Sequence, residues 1–255
     1  MLSIGKSASG NAAINYRTLI GQVTRQKDGG IVFVPGESDY QNVSFAAGDQ
    51  VADSRPNFVT YSKTVNGVLT TLSLYKPGSA NTELALTYAG FGSWTGGAAS
   101  GYSPFDGHVY FAYGLVTPAG LLSHKTGTAT YLGVAYGIAA ARDDSLSNVT
   151  GSSQFGVDFS AQKFTGSLQL AASQAAGGAS RDLGSWTFAD RIASGQLITT
   201  NLTAPAGSTG AIGTIAPQFY GPDGQEIGAT FSLQTGADSA PDTLSVVGAT
   251  VAKRH

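Results

Sequence analysis

Apolar and polar positions alternate along this chain in short runs, and the runs are cut by Gly, Asn, Asp and Pro. Period-two patterning of this kind predicts β-strands. Apolar residues at helical spacing are almost absent; the best helix candidate, "TELALTYAGFGSW" from Thr82 to Trp94, reads at least as well as a strand. The pattern predicts an all-β protein.

The second half is the more regular. From Thr126 onward about eight strand-like runs follow at the spacing of a barrel or sandwich. They are "GTATYLGVAYGIA", "SQFGVDFS", "KFTGSLQLAA", "DLGSWTFAD", "GQLITTNLTA", "AIGTIAPQFYG", "EIGATFSLQ" and "DTLSVVGATVA". Phe155, Val157 and Phe159 alternate with Gly156 and Asp158, and Phe164, Leu168 and Leu170 share one face of the next run. An even number of hairpin-linked strands closes on itself and removes exposed edges. Residues 125–255 are therefore expected to form one eight-stranded antiparallel β-barrel.

Residues 1–124 are expected to form a separate β-rich domain. Strands are predicted near "NYRTLIGQVTR", "GIVFVPG", "NVSFAAG", "NFVTYSKTVNGVLTTLSLYKPG" and "ELALTYAGFGSW". Asn66-Gly67 marks a two-residue hairpin turn. "GGAASGYSPFDG", residues 96–107, is too Gly-rich and aperiodic for a strand and reads as a surface loop carrying Tyr102 and Phe105. "LVTPAGLLSHK", Leu115 to Lys125, reads as the connector between the halves.

Composition narrows the function. Charged residues make up only 12%, about half the usual share, while Gly is abundant at 35 residues. That balance is typical of secreted or outer-surface bacterial β proteins. The net charge of −2 gives no reason to expect nucleic acid or an anionic membrane as partner. The absence of cysteine removes disulfides, thiolate catalysis, zinc–thiolate sites and iron–sulfur clusters. No apolar run reaches membrane-span length. "MLSIGKSASGN" lacks the features of a signal peptide, so an exported form is expected to have lost its leader, and any lipid-anchoring cysteine with it.

Catalytic chemistry finds little support. No HExxH, GxSxG elbow, Walker loop or dinucleotide fingerprint is present. Asp143-Asp144, in "ARDDSLSN", reads as a solvated loop. The expectation is a protein that is not an enzyme. Three histidines remain, His108, His124 and the terminal His255. His108 lies close in sequence to Tyr102, Phe105, Tyr110 and Tyr113. An imidazole among aromatics has the chemistry to ligate haem iron while the rings pack on the porphyrin. It equally suits a strand-edge histidine that caps a turn. His124, in "LLSHKTG", carries the same two readings with fewer aromatic neighbours.

One stretch goes further. "FYGPDGQEIGATFSL" resembles the "FYGPxAxExGGxF" signature of transferrin-binding-protein-B-like bacterial surface lipoproteins, with Phe219, Tyr220, Gly221, Pro222, Glu226, Ile227, Gly228 and Phe231 on the pattern. Gly224 stands where the family often has Ala, and Ala229 where it often has Gly. "KTGTATYLGVAYG" looks like the family's first barrel strand, and "GVDFSAQKFTGSLQL" like its "xVDFxxxxxxGxL" hairpin. Phe219 and Phe231 are expected in the barrel core, Gly221 to Gly224 in the turn, and Glu226 accepting backbone N–H groups from that turn.

The resemblance implies a "handle" domain followed by a barrel, exported and either lipid-anchored on the outer membrane or secreted. It implies a monomeric, non-enzymatic capture protein for haem or another iron or metal complex, handing its cargo to an outer-membrane transporter. Haemophilin-like members hold haem near handle loops with histidine. Carried onto this chain, the ligand contacts are His108 as metal ligand, with Tyr102, Phe105, Tyr110 and His124. The alternative is a protein-recognition module that grips a partner protein, transferrin-like or a haem protein, through handle loops. A third reading is a surface-assembly protein with no small ligand.

Overall fold

The computed structural model describes residues 2–6, 12–15, 22–34, 43–96, 108–143, 145–174, 180–237 and 240–255. In chain order the first half gives β1 (Leu2–Lys6), β2 (Ala12–Asn15), β3 (Gln22–Arg25), β4 (Ile31–Val34), β5 (Val43–Phe45), β6 (Gln50–Val51), β7 (Phe58–Val65), β8 (Val68–Tyr75), β9 (Ala89–Thr95) and β10 (His108–Gly114). The second half gives β11 (Thr128–Ala140), β12 (Leu146–Asp158), β13 (Lys163–Gln174), β14 (Ser180–Ala193), β15 (Gln196–Leu197), β16 (Thr200–Asn201), β17 (Ile212–Tyr220), β18 (Glu226–Gln234) and β19 (Ser245–Arg254). Among the described residues the only helical turn is a 3-10 turn at Ala47–Asp49.

The all-β expectation holds. The handle contains a seven-stranded antiparallel sheet in the order β2-β1-β10-β9-β8-β7-β6, with a small β3-β4-β5 sheet beside it. Asn66 and Gly67 turn β7 into β8 with φ of 49° and 81°, the positive pair that a two-residue hairpin of this hand requires. The stretch Thr82 to Trp94 divides: β9 begins at Ala89, and the residues before it form a loop.

The barrel is a strongly curled sheet in the order β15-β14-β13-β12-β11-β19-β18-β17-β16. The fifth of the expected runs is split into β15 and β16, which pair with β14 and β17 at opposite edges of the sheet. One stretch of chain thus spans from one edge to the other. Thr187 and Thr203 then exchange backbone hydrogen bonds at 3.0 and 2.7 Å across the gap. Seven long strands and one broken one do the work of the eight predicted.

Three apolar clusters organise the molecule. The barrel interior is filled by side chains including Tyr131, Phe155, Phe159, Phe164, Trp186, Phe219 and Phe231. The handle cluster packs Phe33, Phe45 and Ile31 of the small sheet against Leu72, Trp94 and Phe111 of the large one; the Phe33 and Phe111 rings stack at 4.8 Å. The third lies between the domains, where Phe58, Tyr75, Phe91 and Tyr110 of the handle meet Tyr220, Val247, Ala249 and Val251 of the barrel. β18 is buried from Glu226 through Leu233, and β19 from Val246 through Ala252. Alternate residues of these strands face the barrel core and the handle, so both faces are covered, which explains their near-continuous apolar run.

Candidate functional site

The "FYGPDGQE" signature lies at the junction of the two domains. Gly221 adopts φ of 86° and Gly224 φ of 61°, conformations that glycine enters without steric cost. The turn they make joins β17 to β18 and meets the interdomain connector. Thr117 donates its N–H to the Phe219 carbonyl at 3.0 Å, Gly221 donates to the Leu115 carbonyl at 2.7 Å, and the Thr117 hydroxyl donates to the Gly221 carbonyl. Phe219 and Phe231 are fully buried in the barrel core, as expected.

Glu226 behaves differently from the expectation. Its carboxylate, in a residue only 1% exposed, does not cap its own turn. It accepts the backbone N–H groups of Thr87, Tyr88 and Ala89 at 2.7, 2.8 and 2.7 Å, so it holds the handle. Lys253, opposite Glu226 in register, donates to the Ala85 carbonyl at 2.9 Å. The Tyr136 hydroxyl on β11 donates to Glu83 at 2.8 Å. Residues 76–88 therefore form a strap that three barrel side chains fix in place. Partners 137 to 139 residues away left no local signal for Glu226.

The residues singled out for ligand contact are placed as follows. Tyr102 and Phe105 lie outside the described residues. His108 opens β10, opposite Thr95 of β9 and Ile4 of β1, and is partly exposed. It sits at the end of the sheet where β9 finishes at Thr95. By strand alternation it shares a face with Tyr110 and Ala112, while Val109 and Phe111 face the small sheet. Tyr110 is buried between the domains at 8% exposure. Burial pushes its hydroxyl up to about 12, against a weaker pull from Arg55.

His124 is exposed in the connector, beyond the opposite end of β10. Seven residues of β10 separate the two ends, roughly 20 Å at the rise of a strand. His108 and His124 do not converge. Among the described residues no group of three His, Cys, Asp or Glu side chains is placed to hold a metal ion. Asp143 is exposed and bonds Ser145, as a solvated loop residue would.

The barrel core is occupied by its own rings. The sheet end at His108 places a polar, partly exposed ring on a rigid scaffold beside a long connection. Binding residues are often carried this way. Among the described residues no helix is long and apolar enough to cross a membrane.

Comparison with known proteins agrees with this architecture. Residues 124–254 match the family model described as the C-lobe and N-lobe β-barrels of transferrin-binding protein B. No curated protein sequence matches the chain. A doubly substituted transferrin-binding protein B from Haemophilus parasuis, described as a vaccine antigen, aligns over 95% of this chain and 46% of its own, at 16% identity and a TM-score of 0.54. A singly substituted form aligns over the same shares at 16% identity and a TM-score of 0.52. The isotype 1 protein from serogroup B Neisseria meningitidis aligns over 86% of this chain and 42% of its own, at 18% identity and a TM-score of 0.48. The chain thus spans less than half the length of these structures, and the likeness to the two Haemophilus parasuis forms is one of fold. The matched segment runs from the connector to the end of β19 and contains the junction signature, and the chain belongs to the transferrin-binding protein B β-barrel family, a family of non-enzymatic binding proteins.

Proposed function

We propose that this protein captures an iron source, haem by preference, at the handle end marked by His108, and that it acts at the bacterial surface, lipid-anchored or released, passing its cargo to an outer-membrane transporter. The observation that carries this reading is the contrast between a barrel filled with side chains and a histidine held partly exposed at a sheet end. The first leaves ligand binding to the outside. The second supplies an imidazole whose neutral form ligates haem iron. Tyr102 and Phe105 supply the rings that would pack on the porphyrin. Titrating hemin into the protein tests the reading. A Soret shift in the wild type that is lost in His108→Ala supports it. A shift that survives the substitution moves the ligand elsewhere, with His124 next in line. No shift in the wild type overturns it.

A second reading rests on the family match. The related structures are named for binding transferrin, and a solid barrel with an external handle suits a protein partner as well as a small ligand. Under this reading the same handle edge grips a protein, hemin gives no spectral change, and His108→Ala alters partner affinity instead.

A further inference from the structure

Where the 76–88 strap crosses the barrel, oxygen atoms from both domains gather around one carboxylate. Tyr136 donates its hydroxyl to Glu83 Oε1 and Oε2 at 2.9 and 2.8 Å. Tyr75, at the end of β8, donates to Glu83 Oε2 at 3.1 Å. Two phenols, one from each domain, thus meet on a single carboxylate oxygen. Asn81 Oδ1 lies 3.4 Å from the Tyr75 hydroxyl, and Asn57 Nδ2 donates to Glu83 Oε2 at 3.3 Å. Tyr75 is 1% exposed, Tyr136 is half-buried and Glu83 is exposed. The group is walled by protein on one side and open to solvent on the other.

We propose that Tyr75, Tyr136 and Glu83 form a binding site for a hard trivalent cation, ferric iron above all, at the seam between handle and barrel. The donor set selects the class of ion. It is all oxygen, without imidazole or sulfur, which suits hard cations rather than zinc or copper. Charge balance selects the valence. Two phenolates and one carboxylate carry three negative charges, which a trivalent ion cancels. A divalent ion would leave a net negative charge in a partly desolvated place, at a cost.

Tyrosine phenols are protonated at neutral pH without metal. In the binding step one ferric ion enters, two phenol protons leave to solvent, and no electron is transferred. The remaining coordination positions fall on the open side, for water or a small anion. None of the residues at the His108 edge takes part, so this site does not rest on the haem reading.

The test adds ferric nitrilotriacetate to the full chain and follows visible absorption. A phenolate-to-iron charge-transfer band is expected, saturating at one iron per chain, with about two protons released for each iron bound. Tyr75→Phe and Tyr136→Phe should each weaken binding at least about tenfold, and the double variant should abolish the band. Phenylalanine keeps the ring packing, so circular dichroism should show each variant folded. His108→Ala should leave the band unchanged. A wild type without the band overturns the proposal, as does a band that keeps its wild-type affinity in both single variants. Tyrosine variants that only lower the melting temperature, in a protein that shows no band, would make the cluster a structural latch and equally overturn it.

Discussion

Glu226, the first residue of β18, accepts the backbone N–H of Ala89, the first residue of β9, at 2.7 Å, so one barrel carboxylate sets where a handle strand begins. The N–H groups of Thr87 and Tyr88 bond to the same carboxylate. A buried carboxylate with three N–H donors is worth more than an ordinary hydrogen bond, because removing it strands the donors away from water.

Glu226→Ala is therefore expected to destabilise the protein by roughly 2–4 kcal/mol, and Glu226→Gln by about 1–2 kcal/mol, since an amide keeps one acceptor and turns an N–H₂ toward the donors. Urea unfolding followed by tryptophan fluorescence measures both. A change within about 0.5 kcal/mol for Glu226→Ala would remove Glu226 from its role at the seam.

Gly221 and Gly207 provide a matched pair. Their φ values are 86° and 85°, so a side chain strains the backbone equally at each. A Cβ at Gly207 meets open space, whereas one at Gly221 would lie 2.7 Å from the Tyr88 ring. Gly221→Ala should cost roughly 1–3 kcal/mol and Gly207→Ala about 1 kcal/mol or less. Equal losses in thermal unfolding would show that the contact with Tyr88 is unimportant.

Most of the barrel was legible because most of its strands carry their own alternation and several of its turns, such as Ser194-Gly195 and Gly221 to Gly224, their own Gly. The broken fifth run was not. "GQLITTNLTA" alternates like its neighbours, but its pairing changes from β14 to β17 within a few residues, and closure geometry rather than composition decides that. The seam was legible only in part. The apolar stretch "VVGATVA" announces a buried strand without naming what covers its outer face. The roles of Glu226, Lys253 and Tyr136 depend on the path of residues 76–88, and that path was hidden behind a pattern shared by helix and strand. His108 was found by its aromatic neighbours in sequence; alternation along β10 puts Tyr110 on the same face, where its ring packs into the interdomain core, a burial that sequence did not announce.

Asp53 gives the handle a pH-dependent contact. Burial raises its pKa, but hydrogen bonds from Arg55 and the Thr60 hydroxyl outweigh that and hold the group at about 2. Unfolded, it would titrate near 4. The lowered pKa therefore stabilises the fold above about pH 4, and that stabilisation is lost as pH falls toward 2. With solvent screening the contribution is about 1–2 kcal/mol. Asp53→Asn should lower stability at pH 7 by about this amount and flatten the acid limb between pH 4 and 2. An unchanged acid limb in the variant would assign the dependence to other carboxylates.

The claim that cargo binds outside a solid barrel, at the handle end of β10, is tested most directly by hydrogen–deuterium exchange with and without hemin. The account predicts added protection in β9, β10 and the segment between them, 89–114, with none in β12, β13 and β14. Protection centred on those barrel strands, or no protection anywhere at saturating hemin, would contradict it.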